Sequence, residues 1–359
     1  MKFIHTADIH WGMIPESDCA FGKQRAQDIR DSFRRIIEKA REISADCLFI
    51  SGDLFHRQPL TRDLTELNYL FSSIPSTHVV IIAGDNDYIE KSSVLLSFRW
   101  ADNVHWLLSG KPESIYFDDI NTEVYGLSYR SREQREPKLE SLKPADNDHI
   151  HILLWHGGDA NHLPYDREKL RSLPFDYAAL GHLHQPEELV EGRVVNAGSP
   201  EPLTVLDTGA HGIFIGDISP LTHRVQKLSF EEISEIRCLP LCFEVSEKTK
   251  NETLLKGIRR ELERQGKKNI YQIRIEGKRN ADLEFNLDSL KEEFRITDIL
   301  DESEPVYDFS ALYREHPTDM IGYYIRTLYR EDESEMSEVE KQALYYGIHA
   351  LLKTAREEH

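Results

Sequence analysis

Over its first 230 positions the chain repeats one pattern: a short apolar run stops at a cluster of polar and glycine residues, and an amphipathic stretch follows. Phe3, Ile4 and Ala7 open the series as a strand that runs into Asp8-Ile9-His10. If strand alternation persists, Asp8 and His10 point to one side. Ile29, Phe33, Ile36, Ala40 and Ile43 then recur at helical spacing with Arg and Glu between them. Cys47-Leu48-Phe49-Ile50 reads as a buried strand ending in Ser51-Gly52-Asp53-Leu54-Phe55-His56. A helix is predicted over 61–73, and the strand Val79-Val80-Ile81-Ile82 ends in Ala83-Gly84-Asp85-Asn86-Asp87. Strand patterns follow near 104–108, 114–117 and 123–127. His151-Ile152-Leu153-Leu154 ends in Trp155-His156-Gly157-Gly158, and Tyr177-Ala178-Ala179-Leu180 ends in Gly181-His182-Leu183-His184. Val194-Val195 ends in a similar turn that carries no charged or imidazole ligand, and strands at 213–218 and 224–230 close the region. Strands alternating with helices, with polar residues just past the strand ends, predict an α/β sandwich whose site lies at one sheet edge.

The pattern changes after about residue 230. Residues 241–245, 251–265 and 270–275 read as a β-α-β unit, and an amphipathic segment and strand continue to about 301. Two helical patterns follow at 318–329 and 337–355, joined by the acidic run 331–335, read as a solvated loop. The expected organisation is a domain over 1–230, a small α+β cap over 231–308 and a helical segment over 309–359.

Composition narrows the function classes. The formal net charge is −19, which disfavours unaided capture of nucleic acid, since phosphate contacts need clustered Lys and Arg. Residues 301–359 hold 14 Asp and Glu against 6 Lys and Arg, so the tail is no source of such a patch. Lys267, Lys268, Lys278 and Arg279 are the best basic cluster the chain offers. The four cysteines are scattered, without a C-x-x-C pair, as expected of a cytoplasmic chain. No apolar run approaches membrane-spanning length, so no membrane partner is expected.

The five strand ends carry the chemistry. Each places a carboxylate or an imidazole after a buried strand. That donor mixture suits Mn(II), Fe(II) or Zn(II) better than Mg(II) alone. Two such ions about 3.5–4 Å apart can clamp both oxygens of an in-line phosphoryl displacement. Asp53 stands where a bridging carboxylate is expected, and the glycines at 52, 84, 157, 158 and 181 suit tight turns that present these side chains.

In this order, D-x-H, G-D-L-F-H, a box close to Gly-Asn-His-Asp, W-H-G-G and G-H-L-H resemble the calcineurin-like metallophosphoesterases. Within them the chain looks most like the SbcD-type and YhaO-type DNA repair exonucleases, and the motifs cover about residues 1–200. The resemblance implies a four-layer α/β/β/α sandwich with a small α+β cap and C-terminal helices. It implies one metal on Asp8, His10, Asp53 and His184, and a second on Asp53, Asp85, His156 and His182. Mn(II) is the first expectation for both. It also implies DNA as substrate, an SMC-like ABC ATPase of the SbcC or YhaN type as partner, and a homodimer as an option.

One box departs from the family pattern. Asp85 replaces a neutral Asn ligand, and Asn86 replaces a histidine thought to assist the phosphoryl transition state. Asn cannot act as a general acid at neutral pH, though it can donate a hydrogen bond. His56, used near the substrate in the family, is retained, and His162 follows W-H-G-G in a loop that can line the cleft. The remaining histidines, His359 among them, read as surface or structural residues. The leading expectation is a two-metal DNA exonuclease with His56 and Asn86 as its catalytic positions. The alternatives are a weakly active DNA-end-binding subunit of the same complex and a phosphoesterase for a small substrate.

Overall fold

In the computed structural model the described residues are 1–330 and 336–357; the acidic run at 331–335 and His359 lie outside them. They form two compact units, Met1–Leu239 with Lys268–Ile270, and Pro240–Lys267 with Tyr271–His359.

The first unit is a pair of six-stranded sheets. One sheet centres on parallel strands β1 (Lys2–Thr6), β2 (Cys47–Ser51), β3 (His78–Ile82) and β4 (Val104–Trp106). Helices α1 (Gly22–Glu42) and α2 (Thr61–Ser72) make the first two crossovers. The other sheet contains β5 (Glu113–Phe117), β6 (Thr122–Gly126), β7 (Ile150–His156), β8 (Tyr177–Gly181), β9 (Glu187–Val190) and β10 (Val194–Asn196), in the order β5-β6-β7-β8-β10-β9. Strands β11 (Gly212–Ile218) and β12 (Val225–Glu232) return antiparallel to the first sheet, beside β1.

Burial explains the composition of these strands. Every residue of β2, β7 and β8 is buried, so each is built on an apolar run, such as Cys47–Ile50 or Ile152–Trp155, rather than on an alternation. Phe3, Phe49, Val80, Ile82, Ile152, Leu154 and Tyr177 pack between the two sheets. Ile29, Phe33, Ile36 and Ala40 of α1 and Leu64, Leu67 and Phe71 of α2 cover the outer face of the first sheet. The outer face of the second sheet is covered by the 3-10 turns Leu139–Ser141 and Arg167–Ser172 and their loops, with Trp155, Leu163, Leu170 and Phe175 buried beneath.

Register aligns the strand ends. Thr6 pairs with Ile50, Ser51 with Ile82, and His156 with Gly181. The C-terminal ends of β1, β2 and β3 thus share one edge, as do those of β7 and β8.

The second unit has a sheet of β13 (Cys238–Val245), β14 (Ile270–Asn280), β15 (Arg295–Asp301) and β16 (Glu304–Val306). Helix α3 (Asn251–Gln265) buries Leu254, Ile258 and Leu262 on one face. A short α4 (Ser289–Glu293) precedes β15, and α5 (Phe309–Glu315), α6 (Met320–Leu328) and α7 (Glu338–Glu357) pack around Phe309, Ile321, Ile325, Leu344 and Ile348. Strand β9 and helix α5 were not visible in the residue pattern: β9 is a half-exposed edge strand rich in Glu, and α5 buries only Phe309. Among the described residues no helix is long and apolar enough to cross a membrane.

Candidate metal centre

The alternation expected through Asp8 and His10 does not persist. Strand β1 stops at Thr6, and Asp8 and His10 take left-handed backbone, at φ 52° and 49°. Asp53 (φ 49°) and His182 (φ 93°) do the same. Four of the seven predicted ligands therefore hold a conformation that costs a non-glycine residue roughly 1–2 kcal/mol.

Hydrogen bonds between loops hold it in place. Asp8 N donates to Gly52 O, His10 N to Asp53 O, and Trp11 N to Leu54 O, at 3.1, 3.0 and 2.8 Å. His182 N donates to Asp8 Oδ2 at 2.9 Å, joining residues 174 apart in sequence. Buried Asp87 accepts from Gly84 N at 2.7 Å and Phe55 N at 3.0 Å, tying the β3 loop to the β2 loop. Burial, with Asp53 nearby, pushes the Asp87 carboxyl up to about 8.

All seven predicted ligands meet at this edge. Donor atoms of Asp8, His10 and His184 lie within 4.8 Å of one another, as do those of Asp85, His156 and His182, and those of Asp8, Asp53 and His156. Asp53 stands between the halves: Oδ2 is 3.4 Å from His10 Nε2 and Oδ1 is 3.6 Å from His156 Nε2. Asp85 Oδ1 accepts from His156 Nε2 at 3.0 Å and His182 Nδ1 at 3.1 Å. Space here is tight: a Cβ on Gly52 would lie 2.2 Å from His156 Nδ1, and one on Gly84 would lie 2.1 Å from Asp53 Oδ1. Gly52 also has φ +92°, whereas Gly84 needs no left-handed backbone and is required for its lack of volume.

Electrostatics fit cation binding. Burial opposes a charge on His156, but Asp53, Asp85 and Asp8 outweigh it and push its pKa up to about 10. Burial also opposes charge on Asp85, yet hydrogen bonds from His156 and His182 hold it below the usual carboxylate range. The carboxylates thus favour positive charge at this place. Asp8 Oδ1 and His10 Nε2 are buried and have no hydrogen-bond partner among the described residues. Two orphaned donor atoms beside a carboxylate and imidazole cluster fit divalent ions, which would satisfy them.

The other predicted positions line the same place. His56 is half-buried, with Nδ1 3.1 Å from His10 Nδ1. Asn86 donates its backbone N–H to Asp53 Oδ1 at 3.0 Å and its side-chain amide to Asp53 Oδ2 at 2.6 Å. The His162 side chain reaches the centre with Nε2 4.0 Å from Asp85 Oδ2. The basic cluster does not assemble as expected: Arg279 is buried and donates to Leu283 O, Lys268 pairs with Glu235, and Lys267 lies over the Phe294 ring. Lys267, Lys268 and Lys278 are exposed, while Arg279 is spent inside its own unit.

Sequence reasoning missed two carboxylates. Asp159 accepts from His182 Nε2 and from His162 Nδ1, each at 2.8 Å. Asp207 accepts from His184 Nδ1 at 3.3 Å. Asp159 follows the second glycine of W-H-G-G, a position that could have drawn notice; Asp207 has no local signal.

Comparison with known proteins places residues 1–186 in a match to the family model described as calcineurin-like phosphoesterase. The chain is 27% identical over 239 residues to the DNA double-strand break repair protein Mre11 of Methanopyrus kandleri, covering 59% of this chain and 52% of that one. It is 30% identical over 212 residues to the protein of the same name in Methanocaldococcus jannaschii, covering 56% and 57%. Against the metallophosphoesterase YhaO of Bacillus subtilis it is 25% identical over 287 residues, covering 72% and 69%. The chain therefore spans about half of the length of the two archaeal relatives.

Proposed function

The chain belongs to the calcineurin-like phosphoesterase family, and on that premise we propose that it is a two-metal DNA nuclease that shortens broken duplex ends. The observation that carries this reading is the pair of ligand groups, Asp8-His10-His184 and Asp85-His156-His182, with Asp53 between them. Likeness to two archaeal proteins named for double-strand break repair supports DNA as the substrate. Mn(II) is the proposed ion, with Fe(II) and Zn(II) as alternatives on the same donor chemistry.

Divalent ions held by these seven residues would supply Lewis acidity to a phosphodiester and to the water that attacks it. The chain's own groups do the rest. Asp53 sets the spacing of the two halves. Asn86 aims two N–H donors at Asp53 and holds that carboxylate still. His56 shares a hydrogen bond with His10 and is half-buried, so its ring is in position to meet a substrate phosphate.

The amide of Asn86 favours a second reading. It has no proton to give at neutral pH. A weakly cleaving, end-binding subunit is the form the function takes if no other side chain meets that need. We further propose an SMC-like ATPase as partner, docking on the C-terminal helices, where Met320, Tyr323 and Tyr346 are exposed.

The test is metal analysis of the purified protein with a cleavage assay on linear duplex in Mn(II). Two bound ions and metal-dependent shortening are expected. Two bound ions with DNA binding but no cleavage supports the second reading. Failure to retain metal overturns both.

A further inference from the structure

Each of the four histidines in the centre has two ring nitrogens, and the structure gives the two different surroundings. His156 turns Nε2 to Asp85, and its Nδ1 donates to Ser51 O at 2.8 Å. His10 turns Nε2 toward Asp53, and its Nδ1 meets His56. His182 is reversed: Nδ1 faces Asp85, and Nε2 faces outward to Asp159 at 2.8 Å. The His184 Nδ1 faces Asp207, which leaves Nε2 as its second ring nitrogen.

A neutral imidazole carries one proton, and only the bare nitrogen can bind a metal. Whatever accepts a hydrogen bond from the outward nitrogen thereby selects the tautomer that exposes the inward one. A carboxylate does this more strongly than a carbonyl, because a charged acceptor forms the stronger bond. It also raises the basicity of the ligating nitrogen.

We propose that Asp159 and Asp207 are the positioning residues of the two-ion centre, Asp159 setting His182 for one ion and Asp207 setting His184 for the other. Both are anchored for the task. Asp159 Oδ1 accepts the backbone N–H groups of Asn161 and His162 at 2.8 and 3.0 Å, and the His162 ring closes on the same carboxylate. Asp207 Oδ2 accepts from Leu203 N and Thr204 N, both at 3.0 Å. The role rests on the two-ion reading above, and it assigns the loop after W-H-G-G a part in ion affinity that none of the five motifs contains.

The experiment titrates the chelator-stripped full chain with Mn(II) and counts bound ions from the signal of the free ion in electron paramagnetic resonance. Wild type is expected to bind two. Asp159→Asn should weaken one of the two by about 10–100-fold, and Asp207→Asn the other by a similar factor. A second readout is the histidine tautomer in long-range proton–nitrogen spectra of the protein loaded with diamagnetic Zn(II): His182, identified from its loss in His182→Gln, should keep its proton on Nε2 in wild type and lose that preference in Asp159→Asn. A purely structural Asp159 would lower the unfolding temperature and leave tautomer and affinity alone. Two ions bound by wild type and by both variants with equal affinity overturns this proposal while the two-ion reading stands; a wild type that binds none overturns both. Asp159 is half-exposed, so its variant should fold even where Asp207→Asn does not.

Discussion

Adding one methyl group at position 84 tests whether the centre tolerates any displacement. In Gly84→Ala the new carbon would lie 2.1 Å from Asp53 Oδ1 and 2.6 Å from His156 Nε2. Ordinary contact begins at 3.4 Å, so one partner must retreat by about 1.3 Å, the difference between the two figures. The strand ends on either side are buried, and Asp53 is held by Asn86, so relief by a free side-chain swing is closed off. Overpacking of this kind costs about 1–3 kcal/mol of stability. A displacement near 1 Å at a reacting centre costs about 10²-fold in rate. The assay pairs an Mn(II) isotherm with duplex cleavage at saturating Mn(II) and a thermal melt. The expected result is a folded protein with weaker binding of the ions that Asp53 would share and a rate lowered by about 10²-fold. Gly257→Ala is the control, because nothing lies within 4 Å of its Cβ position in α3; it should stabilise by about 0.5–1 kcal/mol and leave the ions alone. Wild-type affinity and rate in Gly84→Ala would refute the claim that Asp53 is held by contact.

Asn86→His should raise the single-turnover rate on linear duplex at saturating Mn(II), by up to the roughly 10²–10⁴-fold typical of a positioned acid; no gain would shift attention to His56 and His162. His5 is buried, and burial drives its pKa from 6.5 to about 3 against the pull of the Leu180 carbonyl. Below pH 6.5 the unfolded chain takes up a proton that the folded chain refuses, so stability should fall by about 1.4 kcal/mol per pH unit toward pH 3. Urea midpoints of the metal-free protein at pH 7 and pH 5 should therefore separate more for wild type than for His5→Gln, and parallel shifts would refute this. Chelation should lower the melting temperature, since ligands that bind only the folded state stabilise it by mass action.

How much of this was legible follows from which signals are local. Buried parallel strands such as Cys47-Leu48-Phe49-Ile50 declare themselves as apolar runs, and each ligand sits within a few residues of such a run. The centre was therefore readable as five short motifs. The backbone at Asp8 and His10 was not, because left-handed conformations are imposed by hydrogen bonds to Gly52 and Asp53, more than 40 positions away. Asp207 was invisible for a like reason: it reaches His184 through a loop held by Leu203 and Thr204. Arg279 misled because charge alone does not reveal burial, and its guanidinium is buried and donates to Leu283 O.

The order of the strands along the chain has a consequence for synthesis. The bond from His182 to Asp8 closes a span of 174 residues, and both sheets must exist before it can form. A growing polypeptide emerges from its N-terminus and folds domain by domain. Asp8, His10, Asp53 and Asp85 therefore leave the ribosome long before His182 and His184 arrive. A nascent chain, or a fragment released early, carries an acidic half-site without the imidazoles that complete it. Any chemistry of the centre is therefore withheld until the second sheet is in place.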